Sequence, residues 1–147
     1  MKKTRLIILL IIILSITGCS NKDVIKHKYY FKGESELWNV YYQEKSVETF
    51  TKKNGKLVYD RETEAKLTAV YKNELSELVQ VKRIEIGYEA GSYKSILSEE
   101  YSGEGPYSSS FVLNSSDGLV ANEDGVINVS ISIDDDTETF ELNNVKK

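Results

Sequence analysis

Apolar and polar residues alternate along most of the chain from Tyr29 onward. Successive side chains of a β-strand point to opposite faces, so this alternation predicts strands with one face in a core and the other in water. The clearest case is residues 126–134, where isoleucine or valine alternates with a polar residue. We expect further strands around Trp38 and at residues 47–53, 56–60, 66–72, 78–88, 93–101, 108–113 and 137–145.

Turn-forming residues separate these segments. Asn54-Gly55 supplies the positive φ angles of a type I′ hairpin turn, and residues 134–136 are predicted to form a second hairpin loop. The apolar phase changes within residues 78–88, which predicts a bulge near Lys82-Arg83. Residues 67–78 also fit a helical stripe. We favour a strand to about Lys72 followed by a turn, because the β-branched residues there prefer strands and Asn73 interrupts the run.

About eight short strands predict a single all-β domain at residues 29–147. The architecture that we expect is an antiparallel β-sandwich of immunoglobulin-like type, with a small β-barrel as the alternative. Most of the ten tyrosines fall in predicted strands, where an aromatic ring packs into the core. Trp38 shares the parity of Val40 and Tyr42, so we expect it at the centre of that core.

The first eighteen residues differ from the rest of the chain. An unbroken apolar run at residues 6–14 follows three basic residues, Lys2, Lys3 and Arg5. This is the pattern of a signal peptide. This run is shorter than the roughly 20 apolar residues that a helix needs to cross a bilayer. We therefore expect residues 1–18 to be a cleaved signal peptide rather than a membrane-spanning anchor.

Ile16-Thr17-Gly18-Cys19 resembles the bacterial lipobox, in which one aliphatic and two small residues precede a cysteine. The resemblance implies that the Cys19 thiol receives a diacylglycerol and that a type II signal peptidase cleaves between Gly18 and Cys19. One acyl chain binds a membrane marginally, whereas two or three hold a protein firmly. We expect a palmitate-type lipid anchor on Cys19 at the extracytoplasmic face of the cell membrane, within a lipidated N-terminus and flexible tether at residues 19–28.

The charge distribution argues against nucleic acid as a partner. The chain carries a net charge of −4, and removal of the signal peptide leaves 16 basic against 23 acidic residues. Residues 99–147 contain 2 basic and 11 acidic side chains. Nucleic-acid binding depends on lysine and arginine at the phosphates. An anionic membrane repels the acidic half, so we expect that half to point away from the bilayer.

Few residues are candidates for catalysis. His27 is the only histidine and lies in the predicted tether, so we expect neither a histidine-dependent triad nor a zinc site. An acylated Cys19 is no nucleophile, and the serines at 108–110 are predicted to form a loop. Glu99, Glu100 and Glu104 cluster as the two acids of a glycosidase would, although such clusters in an acidic chain usually face water. We predict no catalytic residue and no cofactor.

Acidic residues at two places suggest calcium binding as an alternative. Residues 134–136 with Glu138, and residues 122–124, offer the carboxylate and amide oxygens that calcium prefers. Neither group matches EF-hand spacing, and consecutive aspartates at strand ends commonly face water in a turn. We therefore predict no metal site and keep a weak calcium-dependent module as an alternative.

Two segments resemble a group of small, uncharacterised Bacillus-type Firmicute lipoproteins. They are residues 33–38 (GESELW) and residues 137–142 (TETFEL). Proteins of that group similarly carry a GES-x-x-W segment near the mature start and a TETFEL-like strand near the end. The resemblance implies a secreted, lipid-anchored β domain, and it carries over no activity and no catalytic residue.

These features favour an envelope-anchored lipoprotein that is not an enzyme and binds an envelope protein or a glycan through an exposed face or loop cluster. The alternative from another class is a carboxylate-dependent hydrolase of wall or extracellular polysaccharide. A cleft with two facing carboxylates about 5–9 Å apart favours the hydrolase. A flat or loop-rimmed surface favours binding.

The predicted lipid anchor is tested by the substitution Cys19→Ser. A serine hydroxyl does not replace the thiol that carries the diacylglycerol, so we expect no lipid on the altered chain and no cleavage after Gly18. Metabolic labelling with a palmitate analogue and the electrophoretic mobility of the chain measure these two effects. Lipid labelling and processing that are unchanged in the serine form would contradict the prediction.

Overall fold

The computed structural model describes residues 22–116 and 123–145. The predicted signal peptide, Gly18, Cys19 and the calcium candidate Asn122 lie outside the described residues. One 3₁₀ turn at Leu75–Leu78 precedes the fourth strand. The strands are β1 (Lys22–Glu34), β2 (Trp38–Lys53), β3 (Lys56–Tyr71), β4 (Arg83–Ala90), β5 (Tyr93–Glu100), β6 (Ser110–Ser116), β7 (Val126–Ile133) and β8 (Asp136–Asn144).

The eight strands form one antiparallel sheet in the order β5-β4-β7-β8-β1-β2-β3-β6. The sheet curls until it is nearly closed into a barrel, with β5 and β6 close together at the seam. Tyr42 on β2 and Tyr88 on β4 meet across the interior with ring centroids 5.2 Å apart, although their strands are not neighbours in the sheet. The predicted all-β antiparallel class is confirmed, and the arrangement is consistent with both a sandwich and a small barrel.

The hairpin at Asn54-Gly55 is confirmed, since these two residues join β2 to β3 with φ angles of 52° and 78°. The strands on either side are longer than predicted. The segments around Trp38 and at residues 47–53 belong to one 16-residue strand, β2. The predicted bulge near Lys82-Arg83 is wrong, because residues 79–82 lie outside β4 and the apolar phase changes where the strand begins.

The core lies inside the curled sheet and follows the predicted alternation. Trp38 is 1% exposed and packs edge-on against Tyr71 and Phe111, with centroid distances of 5.3 and 5.6 Å. Burial of such rings dominates core energetics. The prediction that Trp38 is a core residue is therefore confirmed. Isoleucine, valine and leucine side chains of β4, β7 and β8 complete the core: Ile84, Ile86, Ile127, Val129, Ile131 and Leu142.

One end of the barrel is closed by the 3₁₀ turn and by the loop that follows β5. Leu78 is 2% exposed, so the turn covers the core with an apolar side chain. The loop reaches the same place, since a Cβ on Gly105 would clash with the carbonyl oxygen of Leu78. Pro106 is also buried there. This end of the molecule is apolar and packed.

The prediction of a flexible tether is wrong for residues 22–28. These residues are the first half of β1 and pair with β2 from Lys22 opposite Thr51. Both faces of this part of the strand are polar or partly exposed, so the residues show no apolar alternation. Backbone hydrogen bonds to β2 hold the segment in place, and that partner is invisible in the local sequence.

The two segments that carry the family resemblance lie against each other. A Cβ on Gly33 would clash with the carbonyl oxygen of Glu141 and would come within 2.8 Å of a methyl carbon of Leu142. The Ser35 hydroxyl donates a hydrogen bond of 2.6 Å to Glu138. One contact joins β1 to β8 and the other joins the residue after β1 to β8, so both lie where the first and last strands of the described sheet are neighbours.

The close approach at Gly33 predicts a selective loss of stability. We expect Gly33→Ala to lower the free energy of unfolding by about 1–3 kcal/mol, because the backbone of β8 must move to admit a methyl group. Gly87→Ala is the matched control, since its Cβ would meet Ile96 at an ordinary 3.5 Å. Urea denaturation measures both variants. Equal effects of the two substitutions would contradict the close-contact explanation.

Candidate functional site

The inner face of the sheet changes from apolar to polar along β2. After Trp38, Val40 and Tyr42, the next inward positions are Glu44 and Ser46, which are 0% and 2% exposed. On β3, Thr63 lies opposite Ser46 and is 3% exposed. We call this region the polar end: the inward-facing side chains of Tyr42, Glu44, Ser46, Arg61, Thr63, Tyr88 and Ser115.

Two hydrogen bonds organise the polar end. The Tyr42 hydroxyl donates to Glu44 Oε2 at 2.8 Å, and the Tyr88 hydroxyl lies 2.7 Å from Ser115 Oγ, which links β4 to β6 across the seam. Burial and the neighbouring Glu44 raise the pKa of Tyr42 far above its ordinary value. Burial also raises the pKa of Tyr88. Both phenols are therefore neutral hydrogen-bonding groups at physiological pH.

Other buried polar atoms at the polar end have no hydrogen-bond partner among the described residues. They are Ser46 Oγ, Thr63 Oγ1, and both Nε and Nη2 of Arg61. A buried donor without a partner costs about 1–3 kcal/mol, so such groups are rare in folded proteins. These four atoms belong to three residues that are close together on the paired strands β2 and β3. Each can donate a hydrogen bond, so a bound polar molecule would satisfy them.

The rim beside this set contains His27, which the sequence placed in a tether. Its Nδ1 lies 3.2 Å from the Tyr29 hydroxyl, and its Nε2 lies 3.7 Å from Glu48 Oε2. The hydroxyl of Tyr59 donates to the other oxygen of Glu48 at 3.1 Å. The prediction that His27 lies outside the folded domain is wrong. Neither ring nitrogen contacts the Ser46 hydroxyl on the facing strand, so the group lacks the geometry of a triad.

Aromatic rings stand at the outer margin of the same face. Phe50 and Tyr59 lie opposite each other on β2 and β3, with ring centroids 5.2 Å apart. Tyr59 is 51% exposed, so about half of its surface is open to a ligand. The prediction that most tyrosines are core residues is confirmed for Tyr42, Tyr71 and Tyr88, and it is wrong for the three that are more than half exposed: Tyr41, Tyr59 and Tyr107.

The glutamates that the sequence suggested as catalytic acids do not form a facing pair. Glu99 and Glu100 point to opposite faces of β5. Glu99 accepts a hydrogen bond of 2.5 Å from Tyr101, and Glu104 accepts one from Tyr107 in the following loop. Each of these two carboxylates serves a local tyrosine contact.

The acidic residues suggested for calcium also have structural roles. Asp134 has a φ of 52° in the β7–β8 turn, and its Oδ1 accepts hydrogen bonds of 2.9 Å from the backbone N–H groups of Lys82 and Arg83. Glu138 accepts from Ser35. Within residues 22–116 and 123–145, no three histidine, cysteine or acidic side chains come together in a metal-binding arrangement.

A concave surface lies on the outside of the barrel above Gly87, with a volume of about 420 Å³. Ile96 is 65% exposed at its edge, and Lys94 pairs with Glu89 at 2.8 Å. Its lining contains none of the buried polar atoms that lack a partner in the described chain. We therefore place the candidate site at the polar end.

Sequence reasoning did not identify Glu44, Ser46, Arg61 or Thr63 as site residues. The available signal was their parity: each occupies the inward position of a strand whose other inward residues are apolar. That parity becomes visible only once residues 38–53 and 56–71 are recognised as two unbroken strands.

In the described chain, no helix is long and apolar enough to span a bilayer.

Comparison with known proteins found no match to any family model, curated protein or solved structure. The candidate site therefore rests on its geometry.

The hydrogen bond between Tyr42 and Glu44 predicts a measurable role in stability. We expect Tyr42→Phe to lower the free energy of unfolding by about 1–3 kcal/mol at pH 7, because buried Glu44 loses a donor. Above pH 10, tyrosine in the unfolded chain ionises while folded Tyr42 keeps its proton. The stability contributed by the raised pKa is therefore complete below pH 10 and is lost at higher pH, by up to about 1.4 kcal/mol per pH unit.

Urea denaturation of the natural chain and of Tyr42→Phe between pH 7 and pH 11 measures both effects. The phenylalanine form should lose stability less steeply above pH 10, since it lacks one of the buried phenols. Parallel curves for the two proteins across this range would show that Tyr42 does not resist ionisation.

Proposed function

We propose that the protein is a lipid-anchored, extracytoplasmic binding protein that holds an acidic saccharide of the cell envelope at the polar end. The lipid anchor is the one expected at Cys19, in line with the resemblance to small Firmicute lipoproteins. The observation that carries the binding proposal is the set of buried, unpartnered donors on Ser46, Thr63 and Arg61.

The chemistry of these donors suits an acceptor-rich ligand. Arg61 presents two N–H groups, Nε–H and one on Nη2, and a guanidinium recognises a carboxylate or phosphate through such paired hydrogen bonds. The hydroxyls of Ser46 and Thr63 lie in the next row of the sheet and can bind ring hydroxyls or acetamido oxygens. A ligand that suits these groups has a negative charge to bind Arg61 and neutral polar groups to bind Ser46 and Thr63. An acidic sugar has both.

The aromatic margin supports a saccharide over a simple anion. Tyr59 is half exposed and leans on Phe50, so it offers the apolar surface on which the carbon face of a sugar ring packs. Glu48 lies between Tyr59 and His27 and accepts hydrogen bonds that sugar hydroxyls donate. Stacking and hydrogen bonding are thus available on one face of the sheet.

We favour binding over hydrolysis because of how the carboxylates are held. Glu44 is fully buried and accepts the Tyr42 hydroxyl, and Glu48 is held by Tyr59. Their Cα atoms are four residues apart along one strand, which corresponds to about 13 Å. They lie side by side on one wall of the site instead of facing each other across it.

The substitution Thr63→Val separates binding from folding. Valine matches threonine in shape and removes an unpartnered buried hydroxyl, so we expect the free protein to become more stable by about 1 kcal/mol. The same change removes a ligand contact. We expect its affinity for soluble muropeptides, the acidic disaccharide-peptides released from peptidoglycan by a muramidase, to fall about 5- to 10-fold.

Calorimetric titration of the chain of residues 20–147 measures this affinity, and urea denaturation measures stability. Arg61→Gln should weaken binding about 10- to 100-fold, since it removes a charge-assisted contact. Arg83→Gln, at an exposed residue outside the site, is the control with the same change of charge. Failure of the natural chain to bind muropeptides, or equal losses for Arg61→Gln and Arg83→Gln, would refute the proposed ligand.

A further inference from the structure

Three strands continue past the residues at which β6 and β8 pair with them. β3 pairs with β6 only from Glu64 onward, and β1 pairs with β8 only at Phe31 and Lys32. In the described chain, the remaining parts of these strands therefore pair only with one another. We call them the ribbon: residues 22–27 of β1, 46–53 of β2 and 56–63 of β3. At about 3.3 Å per residue, the part of β3 before Glu64 extends about 26 Å.

The tip of the ribbon is basic although the protein is acidic. Lysines flank the Asn54-Gly55 turn and the start of β1, and all of them are exposed. Asp23 is the one acidic residue among residues 22–26 and 51–58. The five lysines are Lys22, Lys26, Lys52, Lys53 and Lys56.

Apolar side chains are exposed among these lysines. Leu57 is 71% exposed, and Val24, Ile25 and Val58 are each 44–45% exposed. They lie on both faces of the ribbon, since Leu57 and Val58 are neighbours on β3 and point in opposite directions. Exposed apolar residues among lysines are typical of a surface that enters the interface of an anionic bilayer.

The start of β1 lies near the ribbon tip, and the expected lipid attachment site is only a few residues before it. Lys22 pairs with Thr51, next to the turn, and Cys19 precedes Lys22 by three residues, which span at most about 11 Å. The attachment point expected for the lipid is therefore close to the ribbon tip. At the same time, the acidic residues of 99–116 and 123–145 belong to the barrel and its loops, which an anionic surface repels.

We propose that the ribbon tip docks on the anionic lipid bilayer, with its lysines at the lipid phosphates and Leu57 and Val58 in the interface. Its orientation in the cell rests on the lipid anchor of the proposed function, whereas its affinity for anionic lipid does not. Docking by the tip stands the ribbon upright and holds the barrel away from the membrane.

Co-sedimentation with vesicles tests this docking in the absence of any lipid anchor. Residues 22–145 contain all eight strands and the core they enclose, so the probe protein is the chain of residues 20–147. We expect at least about 10-fold stronger binding to vesicles with 30% phosphatidylglycerol than to pure phosphatidylcholine. The binding should fall steeply as salt is raised from about 0.1 to 0.5 M.

Charge-matched variants locate the contact. Changing Lys52, Lys53 and Lys56 to glutamine should weaken vesicle binding about 10- to 100-fold. The control changes three exposed lysines outside the ribbon to glutamine, with the same loss of charge and little expected effect: Lys32, Lys66 and Lys82. Circular dichroism checks that both triple variants stay folded. Equal losses for the two triple variants, or equal binding to both vesicle types, would overturn the proposal.

Insertion of the tip is tested separately with a fluorophore. Cys19 is the only cysteine, so residues 20–147 accept one engineered label. A polarity-sensitive dye on Leu57→Cys should shift to the blue with phosphatidylglycerol vesicles, and the same dye on Tyr107→Cys, at the closed end of the barrel, should not. A shift at Tyr107 but not at Leu57 would reverse the orientation and refute the docking surface. Suppression of vesicle binding by a soluble polyphosphate, with no blue shift at Leu57, would show anion binding without membrane entry.

The two proposals fail independently. Loss of vesicle binding leaves the muropeptide titration unchanged, because Thr63 and Arg61 lie outside the five-lysine tip. Loss of muropeptide binding leaves the lysine variants and the Leu57 label as a complete test of docking.

Discussion

The uninterrupted antiparallel pairing of β1, β2 and β3 is the constraint on which the rest of the structure depends. β2 pairs along its whole length of 16 residues with β3 and along 13 of them with β1. Inside the barrel this ladder is stabilised by burial of Trp38 and its neighbours. Toward the Asn54-Gly55 turn the buried side chains end, and backbone hydrogen bonds and cross-strand contacts such as Phe50–Tyr59 hold the outer part of the ribbon. One continuous ladder thus couples a packed core, a polar end and a solvent-exposed tip.

The polar end contains buried polar groups that lack hydrogen-bond partners in the described chain, and such groups lower the stability of a fold. Apolar side chains at the positions of Ser46 and Thr63 would continue the core, and the hydroxyls found there have no partner in the described chain. A protein selected for stability alone gains nothing from such groups. They lie next to a buried glutamate and an arginine, and the proposed saccharide would supply the missing hydrogen bonds on binding.

Positive and negative charges are concentrated in different parts of the molecule. The ribbon tip carries five lysines, whereas residues 99–147, apart from their last two, contain no lysine or arginine and have 11 acidic residues. The proposed lipid attachment and the basic tip lie at the same end of the molecule, so the two contacts would act together on one bilayer. The two acyl chains of the expected diacylglycerol hold a protein firmly, and a basic patch beside them adds electrostatic attraction to anionic lipids.

The sequence by itself determined the strand class, most strand positions, the Asn54-Gly55 turn and the burial of Trp38, because each of these follows from alternation or from the φ preference of one or two residues. Only the tertiary structure showed that residues 22–28 are a strand, that Glu44 and Ser46 face inward, and that Arg61, Thr63 and His27 adjoin them. The physical reason is that these segments lack an alternation of apolar with polar residues, so no local pattern marks which side chains face inward. Their place is decided by backbone pairing with strands distant in sequence, and a register between strands is a property of the folded sheet.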